Sequence, residues 1–476
     1  MKLSQLLTDV DVKIIYNEND VEITGIHYNS GKIQPGNLFI AVEGFVTDGH
    51  KYIPDAIEKG AAAILCSKYT EGVDIPQIIV ENVRMAEAQV CATYFDYPSR
   101  KFQLIGITGT NGKTTCTYLI KHILEKCGKK VGLIGTNQNM IGNKIIDTGR
   151  TTPDAFDLQE LFSQMAQEGM DCVIMEVSSH ALELCRVYSC EFACAGFTNL
   201  TQDHLDFHIT MDNYAAAKEK LFSMTKNAVI NVDDKYGAPM ADRAKCNVVS
   251  YGINSDCTLK AENTVLNENG VKFTAGGVDF TLPIPGDFSI YNALCAIGIT
   301  SSLGIDMNVI ASALADADGV KGRAEVVKTD TDYTVMIDYA HTPDGIENIL
   351  KTVRGFAKGR VVILFGCGGD RDNTKRPIMG DIAGKLADFC IVTSDNPRSE
   401  NPMSIISMIE PAVKATGTPY VVIENRRDAI EYALENALKD DVILLAGKGH
   451  ETYQVLAEGT IHFDEREIIR DFLAKQ

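Results

Sequence analysis

The residues with the clearest chemical purpose are Thr108-Gly109-Thr110-Asn111-Gly112-Lys113-Thr114-Thr115. They follow an apolar run, 102–108, that reads as a buried strand. They precede Cys116, Leu119, Ile120, Ile123, Leu124 and Cys127, spaced to form one apolar stripe on a helix, with Gly128 placed to end it. Strand, glycine loop and helix N-terminus together bind phosphate, because backbone N–H groups converge on its oxygens. In that setting Lys113 reaches the terminal phosphates and the Thr114 hydroxyl holds Mg²⁺. The spacing Gly-x-x-Gly-Lys-Thr is two residues shorter than the usual phosphate-loop consensus. A second buried strand, 172–176, ends in Glu176, the carboxylate such a site needs for the metal. Asn199 to His208 is dense in hard ligands, and His204 follows a third strand-like run, 192–197.

These groups need elements to position them. At ~150 residues per domain, 476 residues suggest about three domains. The first hundred residues mix short strands (38–42, 62–65) with a helix near 52–59, and a linker follows at 97–100. Strands and helices then alternate to about Ser302, and a second alternating series starts near Tyr333. This pattern predicts an α/β protein with parallel sheets covered by helices. In the second series, runs 335–337, 361–365, 389–392 and 442–445 read as buried strands, each followed by charged residues. Ligands of open α/β sheets bind at such carboxyl ends.

Composition narrows the function. Lys and Arg number 45 against 64 Asp and Glu, a net charge of −19, which argues against a nucleic-acid coat or an anionic membrane partner. No apolar run suits a membrane span or signal peptide. Thirteen scattered cysteines without a Cys-x-x-Cys pair fit a reduced, cytoplasmic protein without structural zinc. Cys66, Cys172, Cys295 and Cys390 are expected to be core thiols; Cys185, Cys190 and Cys194 match no zinc spacing.

The chain resembles the Mur ligases of peptidoglycan synthesis. The resemblance rests on Gly109–Thr114, Glu176-Val177-Ser178-Ser179-His180, Asn199 through His208, Ala217-Lys218-x-x-Leu221-Phe222 and Asn292. It continues through Gly322-Arg323, Asp338-Tyr339-Ala340-His341-Thr342-Pro343 and Gly447-Lys448-Gly449-His450-Glu451, covering nearly the whole chain in family order. It is strongest to members that add the third peptide residue to UDP-N-acetylmuramoyl-L-alanyl-D-glutamate. Asp395-Asn396-Pro397-Arg398 resembles the marker of those that add meso-diaminopimelate.

The resemblance implies three domains: a small α/β UDP-binding domain (1–100), a central P-loop ATPase domain with a mainly parallel sheet (101–325), and a C-terminal Rossmann-like domain (326–476). It implies an ATP-dependent amide ligase working through an acyl phosphate, with Mg²⁺. For ATP it implies Gly109, Thr110, Asn111, Gly112, Lys113, Thr114, Thr115, Asn292, Arg323, Asp338 and His341. Metal and catalysis fall to Lys113, Thr114, Glu176, His204 and a carbamylated Lys218, although in sequence Lys218 reads as an ordinary helix lysine. The UDP-dipeptide falls to Ser30, Thr151, Thr152, Ser178 and Arg186. Diaminopimelate falls to Arg371, Asp395, Asn396, Pro397, Arg398, Gly447 and Glu451, with arginines suited to its carboxylates. The chain departs from the family in three places: Asn29-Ser30-Gly31 stands for Asp-Ser-Arg, Leu184 for a glutamine of some members, and Lys321 for proline. A lysine-adding or other Mur- or folylpolyglutamate-type ligase, and a nucleotide-gated binding protein, stay open as rivals. A cytoplasmic monomer acting on small molecules is expected.

Overall fold

The computed structural model describes residues 1–44, 47–146, 149–267 and 270–475. Three open sheets, each carrying helices, follow one another along the chain. The first has the strand order Val12–Tyr16, Gln77–Val80, Ala63–Cys66, Asn37–Ile40, Gly25–His27, parallel except at the Val12–Tyr16 edge. The expected helix near 52–59 is Ile53–Glu58.

The central sheet has nine strands. Leu259–Lys260, Asn247–Gly252, Thr225–Asn231, Phe192–Phe197, Gln103–Thr108, Cys172–Glu176 and Val131–Ile134 run parallel; the hairpin Asn139–Ile141 and Lys144–Ile146 closes one edge antiparallel. Both faces are buried. Ile105 and Ile107 pack with Leu119, Ile123 and the helix Asp287–Ser302, while Leu104, Val173 and Met175 pack with Phe162 and Met165 on the other side. That explains the unbroken apolar runs, since a strand covered on both faces needs no polar alternation. Gln103–Thr108 lies between the strands that end in Glu176 and Phe197. Its glycine loop thus opens at a topological switch point, where open α/β sheets bind ligands.

The alternation expected up to Ser302 breaks between 262 and 282. There, Glu262–Asn267, Gly270–Ala275 and Val278–Leu282 form a separate antiparallel sheet. Phe273, Phe280 and Leu282 bury themselves against the helix-covered face of the central core, so these short runs pack as strands without intervening helices.

The last sheet is ordered Glu325–Val327, Thr334–Asp338, Val442–Ala446, Val361–Phe365, Phe389–Val392, Tyr420–Val422, all parallel except the first. The edge strands Glu325–Val327 and Tyr420–Val422, and the hairpin Tyr453–Leu456 with Gly459–His462, are additions to the sequence reading. They are short and partly exposed, and so lack the apolar density that marks the four inner strands. The linker expected at 97–100 includes a short 3₁₀ turn, Pro98–Arg100, with Pro98 and Ser99 buried. Cys66, Cys172, Cys295 and Cys390 are buried thiols, as expected.

Candidate active site

The glycine loop is held from behind by the neighbouring strand end. Asn111 N–H donates to Asn199 Oδ1 at 2.9 Å, and Asn111 O accepts from Asn199 Nδ2 at 3.2 Å and Thr198 Oγ1 at 2.6 Å. Gly112 sits at φ +83°, and a Cβ there would lie 2.4 Å from Asn292 Oδ1, so both backbone and space require glycine. Lys113 Nζ folds back onto Gly109 O at 3.0 Å and Thr110 O at 2.8 Å.

Thr114 and Glu176 meet across two strand ends. Thr114 Oγ1 donates to Glu176 Oε1 at 2.9 Å. The same carboxylate accepts from Thr136 N–H at 2.9 Å and Thr136 Oγ1 at 3.0 Å. Arg323 reaches in from the connection to the last sheet and donates to Thr114 Oγ1 at 3.2 Å. A hydroxyl, a carboxylate and a guanidinium therefore sit at the first turn of helix Lys113–Lys126.

Lys218 is 1% exposed, contrary to its bland appearance in sequence. Its Nζ donates to Gly109 O at 2.8 Å and lies 4.6 Å from the centre of the Tyr214 ring. Two amines, Lys113 and Lys218, thus converge on one carbonyl. Burial, aided by the Lys113 charge, drives the Lys218 pKa far below its ordinary value; burial also lowers that of Lys113, with Glu176 opposing. His204 occupies the left-handed region at φ +54°, an uncommon conformation for a non-glycine residue. Its ring meets His180 edge-on at 4.8 Å. His208, whose Nε2 lies 2.9 Å from Ser179 Oγ, is held at about 4 by burial and by the neighbouring His180.

A cavity of about 510 Å³ opens beside the loop, lined by Asn111, Gly112, Asn292, Arg323, Asp338 and His341 among others. Thr115 also lines it, and Tyr291 and Phe288 supply aromatic walls. Asp338 spends both carboxylate oxygens on backbone N–H groups, of Ala324 at 2.6 Å and Ala340 at 2.7 Å. Burial raises its pKa. It therefore fixes the linker that carries Arg323. Asp344, which the sequence reading passed over, bonds Asn111 Nδ2 at 2.6 Å.

The residues expected to hold a UDP-dipeptide gather on two surfaces. Thr152 Oγ1 donates to Glu176 O at 2.8 Å and accepts from Ser178 N–H at 3.1 Å; Thr151 Oγ1 lies 3.1 Å from Thr136 Oγ1. Arg186 donates to Thr152 O at 2.9 Å, with Nε 2.8 Å from Asp154. Ser30 is buried in the turn Ser30–Lys32 of the first sheet, where Asn29 Oδ1 accepts from Gly31 N–H at 2.8 Å. Nearby, Tyr28 OH donates to Asp157 of helix Ala155–Gln167 at 3.2 Å, so this turn adjoins the central unit.

At the carboxyl ends of the last sheet, Asn396, Lys448 and Glu451 form a buried triangle. Lys448 Nζ donates to Glu451 Oε2 at 2.8 Å and Asn396 Oδ1 at 2.9 Å, and Asn396 Nδ2 donates to Glu451 Oε2 at 2.9 Å. Among the described residues Asp395 Oδ2 is buried without a hydrogen-bond partner, and a Cβ on Gly447 would lie 2.5 Å from it. Pro397 leads to Arg398, at φ +54°, whose Nη1 donates to Gly369 O at 2.8 Å. Arg371 is exposed on the facing loop. Arg376, unmarked in the sequence, is 1% exposed and clamps Glu400 through two bonds of 2.9 and 2.8 Å, bracing the Arg398 loop. A charged residue at a buried helix position gives no periodic signal, so sequence reading had no means of finding it.

A glycine phosphate loop at a switch point, with a carboxylate on the next strand and a second α/β unit supplying charges to the same cleft, defines a nucleotide-dependent enzyme. Three family models match the chain: Mur ligase family, catalytic domain (22–95); Mur ligase middle domain (107–300); and Mur ligase, glutamate ligase domain (322–449). The UDP-N-acetylmuramoyl-L-alanyl-D-glutamate–2,6-diaminopimelate ligase of Caldanaerobacter subterraneus is 52% identical over 481 residues, covering 100% of this chain and 99% of its own. That of Clostridium botulinum is 48% identical over 483 residues, covering 99% of each. A solved structure of a ligase of the same name aligns over 100% of this chain and 99% of its own, with a TM-score of 0.71 and 28% identity. The chain belongs to the Mur ligase family.

Proposed function

We propose that this chain is the ATP-dependent ligase that joins meso-diaminopimelate to the D-glutamate of UDP-N-acetylmuramoyl-L-alanyl-D-glutamate, a cytoplasmic step of peptidoglycan precursor synthesis. One observation carries this reading beyond the full-length similarity. The segment 447–451 touches both halves of the chemistry, since Gly447 N–H donates to Asp338 O beside the nucleotide cavity while Glu451 belongs to the triangle with Asn396. ATP and amino acid would thus meet across one short loop.

The division of labour follows the sheets. Residues 1–100 would carry the UDP end, 101–325 ATP, and 326–476 the amino acid. The short strand Glu325–Val327, which pairs with Thr334–Asp338, straddles the last border. The chain would act as a monomer, with every substrate a small molecule.

The residues suit Mg²⁺. Thr114 and Glu176 are hard oxygen donors within hydrogen-bond reach of each other, which is the ligand chemistry this cation takes. His204 would assist a second ion. Bound there, the metal would neutralise phosphoryl charge. Lys218 as an ammonium cannot be a ligand, but its buried and neutral-leaning amine is the form that reacts with CO₂. Converting it to a carbamate would also replace the clash of two amines at Gly109 O with an attraction to Lys113. Isotopically labelled bicarbonate should give a carbamate signal in NMR that Lys218→Ala abolishes.

In the reaction, the γ-carboxylate of D-glutamate attacks the terminal phosphorus of ATP, ADP leaves, and an acyl phosphate forms. The amine of diaminopimelate then displaces phosphate and loses a proton. Lys113 and Arg323 would stabilise the transferring group, and no protein nucleophile is required. Arg371 and Arg398 would take carboxylates of diaminopimelate, and Asp395, Asn396 and Glu451 an ammonium. Ser30, Thr151, Thr152, Ser178 and Arg186 would hold the UDP-dipeptide.

ADP release with the UDP-dipeptide, offering diaminopimelate, lysine and glutamate in turn, tests the proposal. Release that depends on diaminopimelate supports it. Preference for lysine or glutamate points to another ligase, and release independent of any amino acid points to a nucleotide switch.

A further inference from the structure

The Asn111 side chain has an unexpected occupation. Its backbone is fixed within the central unit by Thr198 and Asn199, as described above. Its amide instead crosses the cleft, donating to Asp344 Oδ2 at 2.6 Å, with a weaker bond to Thr201 Oγ1 at 3.4 Å. Thr201 Oγ1 also points at Asp344 Oδ2, at 3.4 Å. Asp344 stands in the first turn of helix Pro343–Phe356, which packs on the last sheet. That helix end is capped by Thr342, whose Oγ1 accepts from Gly345 N–H at 3.1 Å. The Asp344 carboxylate is therefore not needed as the helix cap; it meets Asn348 one turn along its own helix and still reaches the other unit. Asn111 and Asp344 both line the nucleotide cavity, one from each unit.

We propose that Asp344 is a positioning residue for the nucleotide: by accepting from the Asn111 amide it latches the C-terminal unit over the phosphate loop. A carboxylate beside phosphates is unfavourable unless its charge is answered by donors; Asn348 answers from its own helix, and Asn111 and Thr201 from across the cleft. Burial, which raises the Asp344 pKa, makes the donors more necessary. The latch joins the two units that together line the nucleotide cavity, so it would open for exchange and close on the bound state. This inference rests on the ATP-dependent reading above.

Two measurements test it on the full-length enzyme. Small-angle scattering with a non-hydrolysable ATP analogue and Mg²⁺ reads closure without any amino acid; steady-state kinetics reads the KM for ATP. Asp344→Ala should lose most of the compaction and raise the KM for ATP about tenfold, the scale of one charged hydrogen bond, leaving the KM for the amino acid unchanged. Asp344→Asn, which keeps an acceptor for the Asn111 amide, should stay within about threefold of wild type. Asn111→Ala should reproduce the loss, and the double variant should be no worse than the worse single one. Wild-type compaction with an unchanged KM in Asp344→Ala, or losses that multiply in the double variant, would overturn the latch. Should Asp344→Ala melt early, Asp344→Asn and Asn111→Ala still decide the matter. If the wild type compacts with nucleotide yet releases no ADP with any amino acid, the ligase reading fails and the latch stands.

Discussion

Lys113 and Lys218 share one backbone carbonyl, and this pair shows how much single residues are asked to do. A lysine placed for phosphoryl transfer acts on charge that appears only in the transition state, so its loss falls on kcat. Lys113→Ala should lower kcat by about 10³ or more, measured as ADP release under saturating substrates. Arg398 makes a different prediction. Its guanidinium, held by Gly369 O in a left-handed backbone, would meet a carboxylate that diaminopimelate has and lysine lacks. Arg398→Ala should raise the KM for diaminopimelate by about 10²-fold with a much smaller change in kcat. Unchanged kinetics with diaminopimelate would remove Arg398 from the site.

At the scale of elements, two buried charges hold the frame. Arg426, at the start of helix Arg426–Glu435, pairs with Glu465 at 2.8 Å with both side chains fully buried, and also donates to Ala446 O at 2.8 Å. It ties two helices to the end of the central strand Val442–Ala446, from which the 447–451 segment departs. Arg426→Ala leaves Glu465 buried and unpaired and should cost about 3–5 kcal/mol in denaturant unfolding. Glu87 behaves otherwise. It sits in helix Val83–Tyr94, 6% exposed, facing Arg84 on its own helix and Asp154, Asp157 and Arg186 of the central unit. Burial, reinforced by Asp154, raises its pKa from the ordinary 4.5 to about 8. The neutral acid favours the folded state, so its contribution is fully present below pH 4.5 and is lost as pH rises through about 8. Glu87→Gln should match wild type near pH 4.5 and exceed it by about 1–3 kcal/mol at pH 8.5. A constant difference across that range would show that Glu87 does not titrate in this way.

For the whole molecule, the acidic balance sets the problem. A net charge of −19 must admit anionic substrates. Lys113, Arg323, Arg371 and Arg398 bring positive charge to the strand ends, but Lys448 is already paired with Glu451, and Asp338, Asp344 and Glu176 stand nearby. On the function proposed above, a divalent cation would reverse the local sign. Chelation of Mg²⁺ should abolish ADP release, and re-addition should restore it; full activity in chelator would defeat the account.

The sequence by itself determined the parallel α/β class, the phosphate loop and the inner strands. Each rests on a local cause: an apolar run long enough to be buried on both faces, a glycine where φ is positive, or a charge directly after a strand. The antiparallel sheet at 262–282 and the edge strands escaped it, because strands with exposed positions mix polar and apolar residues and carry no such density. Only the tertiary structure decided what the isolated polar residues do. Lys218 reads as a surface lysine until the fold buries it against Gly109 O, and Asp344 reads as an ordinary first-turn acid until a second unit brings it to Asn111. Their surroundings come from strands and loops about a hundred residues or more away in the chain, 109 positions for Lys218 and 233 for Asp344. No local spacing can encode partners at that separation; the packing of one sheet beside another creates them.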